Sequence, residues 1–314
     1  AKLKHVHFSL IDTSVYLNIK NSSLSFTQAE VDLDQRFISA GNIELREPWM
    51  EMIQKSESQK SESQKSNEAQ NDSIIPDLGW TFENGKLSLE DGWVAIRIDT
   101  INDETDQFSF ENMAFQDLNI SVKDYKWFKD EMSGKVDQFN FIEKSGFQVD
   151  QLTAEVLLSN QKLAAQNLLL QTPHSHFQID AQSAFEKPEA LFQLAEEVNF
   201  DLSILESHIA LKDVAYFFDS LPVNYIPDYT INGKLKGELG EIKSDDFFLS
   251  IGSQSRLELD GSISNINDSE NLKWEVNSLK TQLYKNDIDT ILSQLSPSLK
   301  VFYFDFYNLR IKGD

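Results

Sequence analysis

The stretch that decides the fold reads Lys144-Ser145-Gly146-Phe147-Gln148-Val149-Asp150-Gln151-Leu152-Thr153-Ala154-Glu155-Val156-Leu157-Leu158. It belongs to a patterned region running from Gly134 to Phe185. Side chains on a strand point to opposite faces in turn, so apolar residues at every second position give one oily face and one wet face. That spacing recurs four times here: Phe139 and Phe141; Phe147 and Val149 followed by Leu152, Ala154, Val156 and Leu158; Leu163 and Ala165; and Phe177, Ile179 and Ala181. Lys144-Ser145-Gly146, Ser159-Asn160-Gln161 and Thr172-Pro173-His174 separate the segments with residues that favour turns. The pattern predicts an antiparallel meander, and its function depends on what covers the oily face.

Outward toward the N-terminus the same alternation holds: Val15, Leu17 and Ile19, then Leu24 and Phe26, then Ile43 and Leu45. After Pro48-Trp49 it stops. Lys55-Ser56-Glu57-Ser58-Gln59 is copied from Lys60 and begins again at Lys65, and a segment so poor in apolar residues cannot offset its ordering entropy, so 54–73 is expected to be a flexible loop. Trp80 and Phe82, Leu87 and Leu89, and Val94, Ile96 and Ile98 resume the strands, with Asn84-Gly85 and Asp91-Gly92 predicted as hairpin turns.

Beyond Pro188 a longer repeat appears at an offset of 74 residues, as from Phe200 to Trp274. At that offset Val214, Phe217, Phe218 and Leu221 match Ile288, Ile291, Leu292 and Leu295, each set spaced for a short amphipathic helix and followed by a proline, Pro222 or Pro297. Leu235-Lys236-Gly237-Glu238 is matched to Ile311-Lys312-Gly313-Asp314. The unit of strand, helix, proline and returning strands occurs about one and a half times, which suggests stacked modules. Roughly twenty strands at about 4.8 Å each are more than one sandwich uses, so the sheet is expected to curl, split or stay extended.

The fold class expected is all-β: an elongated, curled antiparallel sheet, an open groove built from repeated modules with short capping helices. Four segments are expected: 1–53, an N-terminal groove segment; 54–73, the loop; 74–187, the central groove; and 188–314, the repeated modules.

The net charge of −23 sets up a field that repels phosphate backbones, which disfavours nucleic acid as a partner. Cysteine is absent, excluding disulfide and thiol chemistry. No apolar run reaches the roughly 18 to 20 residues of a spanning helix. The chain opens at Ala1 within strand-like text and is expected to be a central piece of something longer. His5 and His7, and His174 and His176, could each begin a metal site but lack a third ligand nearby in sequence; no metal or other cofactor is expected. No nucleophile elbow, phosphate loop or zinc-protease helix is present, so an enzyme is disfavoured.

The region from Gly134 to Phe185, with Phe139-Asn140-Phe141, Lys144-Ser145-Gly146-Phe147 and Leu168-Leu169-Leu170-Gln171-Thr172-Pro173-His174-Ser175, resembles the TamB (translocation and assembly module) family. So do Gly79-Trp80-Thr81-Phe82 and Ala40-Gly41-Asn42-Ile43-Glu44-Leu45-Arg46-Glu47-Pro48, while Leu211 to Gly261 is similar to the module shared by TamB and AsmA-like proteins. The resemblance covers most of the chain outside the loop. It implies the periplasmic part of an inner-membrane protein, anchored by an N-terminal helix not in this sequence. It further implies a β-groove that moves phospholipid toward the outer membrane and, through C-terminal parts also not in this sequence, supports outer-membrane protein assembly with a TamA-type barrel.

On this reading Phe147, Val149, Val156, Leu158, Phe177, Ile179, Phe247, Leu249, Ile251, Leu257 and Leu259 line a lipid groove, and no residue is catalytic. The alternative is a scaffold that binds outer-membrane proteins by strand addition. A glycan-binding β-protein would need exposed aromatics on the wet face, where most strands carry Gln, Asp, Ser or Lys.

Overall fold

The computed structural model describes residues 2–11, 15–54, 75, 79–98, 108–109, 111–185, 198–217, 228–238, 240–252, 254–265, 271–285, 287 and 308–313. The chain is all-β: of the described residues about 78% are strand and 3% helix, and the strands form open, curled sheet. It divides into two compact units, 1–160 and 161–314, and the division falls within the expected 74–187 segment. Residues 55–73 of the expected loop, the helix at Ile288–Leu295 and the second half of the one at Val214–Leu221 lie outside the described residues.

The first unit holds β1 (Lys2–Ile11), β2 (Val15–Thr27), β3 (Glu30–Asp32), β4 (Phe37–Arg46), β5 (Trp49–Gln54), β6 (Thr81–Ile98), β7 (Asn112–Phe128), β8 (Glu131–Glu143), β9 (Gln148–Val149) and β10 (Gln151–Ser159). β1 pairs with β2; β4 and β5 lie end to end between β2 and β6; then β7, β8 and β10 follow, with β3 on β4 and β9 on β8. Two sequence expectations need correction. The sheet is mixed, because β4 and β5 both run parallel to β6. Asn84-Gly85 and Asp91-Gly92 are not hairpin turns; both lie inside β6, an unbroken strand of 18 residues. Asp91 takes a left-handed backbone at φ 54°, and the register against β7 slips between Leu89 and Gly92, which is a β-bulge. Turn-forming residues suit a bulge for the same reason they suit a hairpin: Asp and Gly tolerate positive φ.

The second unit is antiparallel throughout: β11 (Lys162–Gln171), β12 (His176–Ala184), β13 (Asn199–Ile209), α1 (Leu211–Val214), β14 (Tyr229–Glu238), β15 (Glu241–Ile251), β16 (Ser255–Ser264), β17 (Lys273–Tyr284) and β18 (Asn308–Gly313), each strand pairing with the next. Here the repeat is fuller than the sequence suggests. β11 to β14 and β15 to β18 are two four-strand modules, not one and a half.

Three details carry the equivalence. Asn167 and Asp246 each sit in a bulge at positive φ and donate the backbone N–H to the carboxylate of Asp180 and Asp260 respectively, both at 2.6 Å. Ser175 Oγ accepts from the N–H of Ala210 at 3.0 Å, as Ser255 Oγ accepts from Tyr284 at 2.9 Å. Asp213, on α1, accepts from the hydroxyls of Thr172 and Ser175, while Asp287 accepts from the N–H of Ser255 at 2.8 Å. The register also replaces the match of Leu235 with Ile311. Ile231 and Gly233 oppose Ser207 and Ile204 on β13, whereas Ile311 and Gly313 oppose Thr281 and Leu279 on β17, so Ile231-Asn232-Gly233 is the counterpart of Ile311-Lys312-Gly313.

Candidate functional site: an apolar sheet face

Directly opposed residues on antiparallel strands share a face, so the registers assemble the face residue by residue. From β11 to β12, Leu170 meets Phe177 and Leu168 meets Ile179; the bulge at Gln166-Asn167 then keeps Ala165 on the same side, against Ala181. Across β13 and β14 the row continues through Ile204, Leu202, Leu235 and Ile231. It passes to Leu249 and Ile251 on β15, and there Phe247 meets Leu259 and Leu249 meets Leu257. Leu279 and Val276 on β17 extend it.

The second-unit residues expected in a groove, Phe177, Ile179, Phe247, Leu249, Ile251, Leu257 and Leu259, therefore stand on one face. Ile179 and Ile204 are buried, while Phe177, Phe247, Leu249, Ile251, Leu257 and Leu259 are only half-buried. Burial pushes the phenol of Tyr229, on the same face opposite Ile251, above its ordinary value.

The first unit differs at its far end. Val156 and Leu158 face Gly134 and Met132 on β8 and are half-buried. Phe147 and Val149, by contrast, are buried in a closed aromatic cluster: Phe141 lies 4.9 Å from Phe115, 5.3 Å from Phe139 and 6.3 Å from Phe147, mostly edge to face. The turn beneath them is held by Glu143, whose carboxylate accepts from the backbone N–H of Ser145 at 2.7 Å and of Ala114 at 3.2 Å. Of the eleven residues expected to line a groove, Phe147, Val149 and Ile179 are buried; Val156 and Leu158 lie half-buried on the first unit's sheet, and the seven from Phe177 to Leu259 share one face of the second unit's.

The opposite face is wet and laced with ion pairs, Lys236 to Asp245 at 2.7 Å and Lys280 to Glu258 at 2.9 Å in the second unit, Lys123 to Asp137 at 2.6 Å in the first. The Lys236 partner holds the Asp245 carboxyl below the usual carboxylate range. Each bulge leaves a polar hollow on that side, about 270 Å³ beside Asn167 and Asp180 and about 310 Å³ beside Asp246 and Asp260. Among the described residues no group of three His, Cys, Asp or Glu side chains is placed to hold a metal ion.

Sequence reasoning missed Leu168, Leu202, Leu235 and Leu279 as members of the face. Leu168 was hidden by the bulge, since Leu168-Leu169-Leu170 has no alternation of its own. The other three were legible as strand alternates.

No family model, curated protein or solved structure matches the chain. The sheet face itself therefore carries the functional argument.

Proposed function

We propose that the chain conducts phospholipid acyl chains along the apolar face of its sheet, as a non-enzymatic part of a TamB/AsmA-like envelope protein in the periplasm. The observation that carries this reading is the run of apolar positions from β11 to β17, of which most are half-buried although a packed core would bury them. Apolar side chains in partial contact with water favour an apolar occupant at about 25 cal/mol for each Å² they lose to solvent. Hydrocarbon fits such a face without specific hydrogen bonds, and neighbouring rows of similar composition let it shift with little change in free energy. The wet face, with its cross-strand ion pairs, supports the same orientation by keeping the reverse side in water.

The test is lipid content. Purified chain examined by native mass spectrometry should carry phospholipid, and a double change Leu249→Asp, Leu257→Asp should remove it with the melting temperature lowered by only a few degrees. A wild-type chain free of lipid after exposure to phospholipid vesicles would overturn the reading. So would a double variant that binds lipid undiminished.

A further inference from the structure

The wet face of the first unit carries a pair of aromatic rings among its polar rows. Lys20 on β2, Trp49 on β5 and Trp93 on β6 oppose one another in a line across three strands. They belong to the wet face, because their strand neighbours Ile19, Met50 and Val94 form the apolar row. The two indoles are half-buried and stacked, with centroids 4.9 Å apart and planes 7° from parallel. That separation matches the strand spacing of about 4.8 Å, so the ring normals run across the sheet. Lys20 covers the outer side of Trp49, its ammonium 4.6 Å from the ring centroid, and the outer side of Trp93 is turned toward β7.

On β7 the register sets two residues opposite Trp93. Gly92 pairs with Leu118 and Val94 with Phe115, so Gln116 and Asp117 share the single place between, and both are exposed. Gln116 in turn opposes Ile142 on β8, which is 36% exposed on the same face. β6 and β8 are two strand spacings apart, about 9.6 Å, and a flat ring in van der Waals contact on both sides needs about 8 Å. Trp93 and Ile142 therefore bound a slot one ring thick, floored by Gln116. Its end is built of amides. Asn119 and Asn140 each donate to the backbone carbonyl of Asp117, at 2.9 and 3.5 Å, while Asn119 accepts from the N–H of Asp91 at 3.0 Å and Asn140 from Gln138 at 2.8 Å. Those bonds orient both amides and use one N–H of each, leaving the second to a ligand.

We propose that this slot binds an uncharged sugar, a pyranose ring of β-gluco configuration. Such a ring has axial hydrogens on both faces, which makes both apolar, and hydroxyls around its rim. The indole of Trp93 takes one face and Ile142 the other; Asn119, Asn140, Gln116 and the Asp117 carboxylate take the rim. Asp91, Asp117 and the net charge of −23 disfavour an anionic ligand, and Lys20 lies on the far side of both indoles. The stack also holds Trp93 upright before the sugar arrives, which lowers the ordering cost of binding. The site stands apart from lipid conduction, since it uses the wet face of the first unit.

The experiment is saturation-transfer NMR on the full chain with methyl β-D-glucopyranoside, followed by a titration read at the Trp93 indole N–H and the side-chain amides of Asn119 and Asn140. Saturation should reach the ring hydrogens of the glucoside, with a Kd of about 1–10 mM. Methyl β-D-galactopyranoside, whose axial hydroxyl spoils one apolar face, should bind about tenfold more weakly. Trp93→Ala should abolish binding. Because that change also removes a packed ring, two milder variants accompany it: Ile142→Ala at an exposed position, and Asp117→Asn, which suits the positive φ of 50° there. Each should weaken binding about fivefold with the backbone amide spectrum otherwise preserved. No transfer to the glucoside, equal binding of the galactoside, or undiminished binding by both milder variants would overturn the proposal.

Discussion

Asp213 is 7% exposed and accepts two hydroxyl protons, from Thr172 and Ser175. Deleting its carboxylate strands those donors, and a buried unsatisfied group costs about 1–3 kcal/mol. Asp213→Ala should therefore lower the midpoint of thermal unfolding by several degrees in calorimetry, and Ser255→Ala, which removes the acceptor of the Tyr284 amide in the second module, should do the same. On the wet face the prediction concerns pH. The Asp245 carboxyl is held low by hydrogen bonding and charge from Lys236, so the stabilisation it gives is present above the ordinary carboxylate value and fades as pH falls through its lowered one. Lys236 is shifted upward, and its share is lost only as pH rises through that raised value. Carbon-detected NMR should find Asp245 titrating below a normal aspartate, and Lys236→Gln should return it to the ordinary range. None of these partnerships was legible beforehand. The Thr172-Pro173-His174 turn could be read locally, but its carboxylate partner lies some forty residues on, where only the fold delivers it.

At the level of the strand, alternation was readable and its interruptions were not. Asp91-Gly92 separates Leu87 and Leu89 from Val94 and Ile96, and a bulge inside one strand leaves the same trace as a turn between two. What distinguishes them is the unbroken pairing of β6 with β7 on both sides of the slip. The parallel lie of β4 and β5 on β6 was equally hidden, because it depends on partners distant in sequence. Close approach of the strands leaves a further mark at Gly261, where an added Cβ would come within 2.2 Å of the Glu275 carbonyl oxygen. A backbone atom cannot swing aside as a side-chain tip can. Gly261→Ala is expected to cost about 1–3 kcal/mol and to speed amide exchange between β16 and β17 while leaving β11 to β13 unchanged.

Over the whole molecule, the all-β class and the one-sided chemistry were present in the sequence, while the division near Asn160 and the full second copy of the four-strand module were not. The module was underestimated because Thr172-Pro173-His174-Ser175 and Gly252-Ser253-Gln254-Ser255 share little besides the final serine, although both place that hydroxyl under a strand-end amide. Modules that touch chiefly their neighbours need not unfold together. In Asp213→Ala, exchange protection should be lost from β11 to β14 at lower denaturant than from β15 to β18; simultaneous loss would show that the two modules form a single cooperative block.

Trp49 and Trp93, on the parallel strands β5 and β6, stack with centroids 4.9 Å apart and planes inclined by 7°, and Lys20 caps Trp49 at 4.6 Å. Two indoles that close share their electronic excitation, so the far-ultraviolet circular dichroism of the native chain should carry a bisignate lobe superimposed on the β spectrum. Trp93→Phe would erase it. The first unit thus contains its own optical gauge, and following that lobe during melting would time the loss of β5 and β6 without any label.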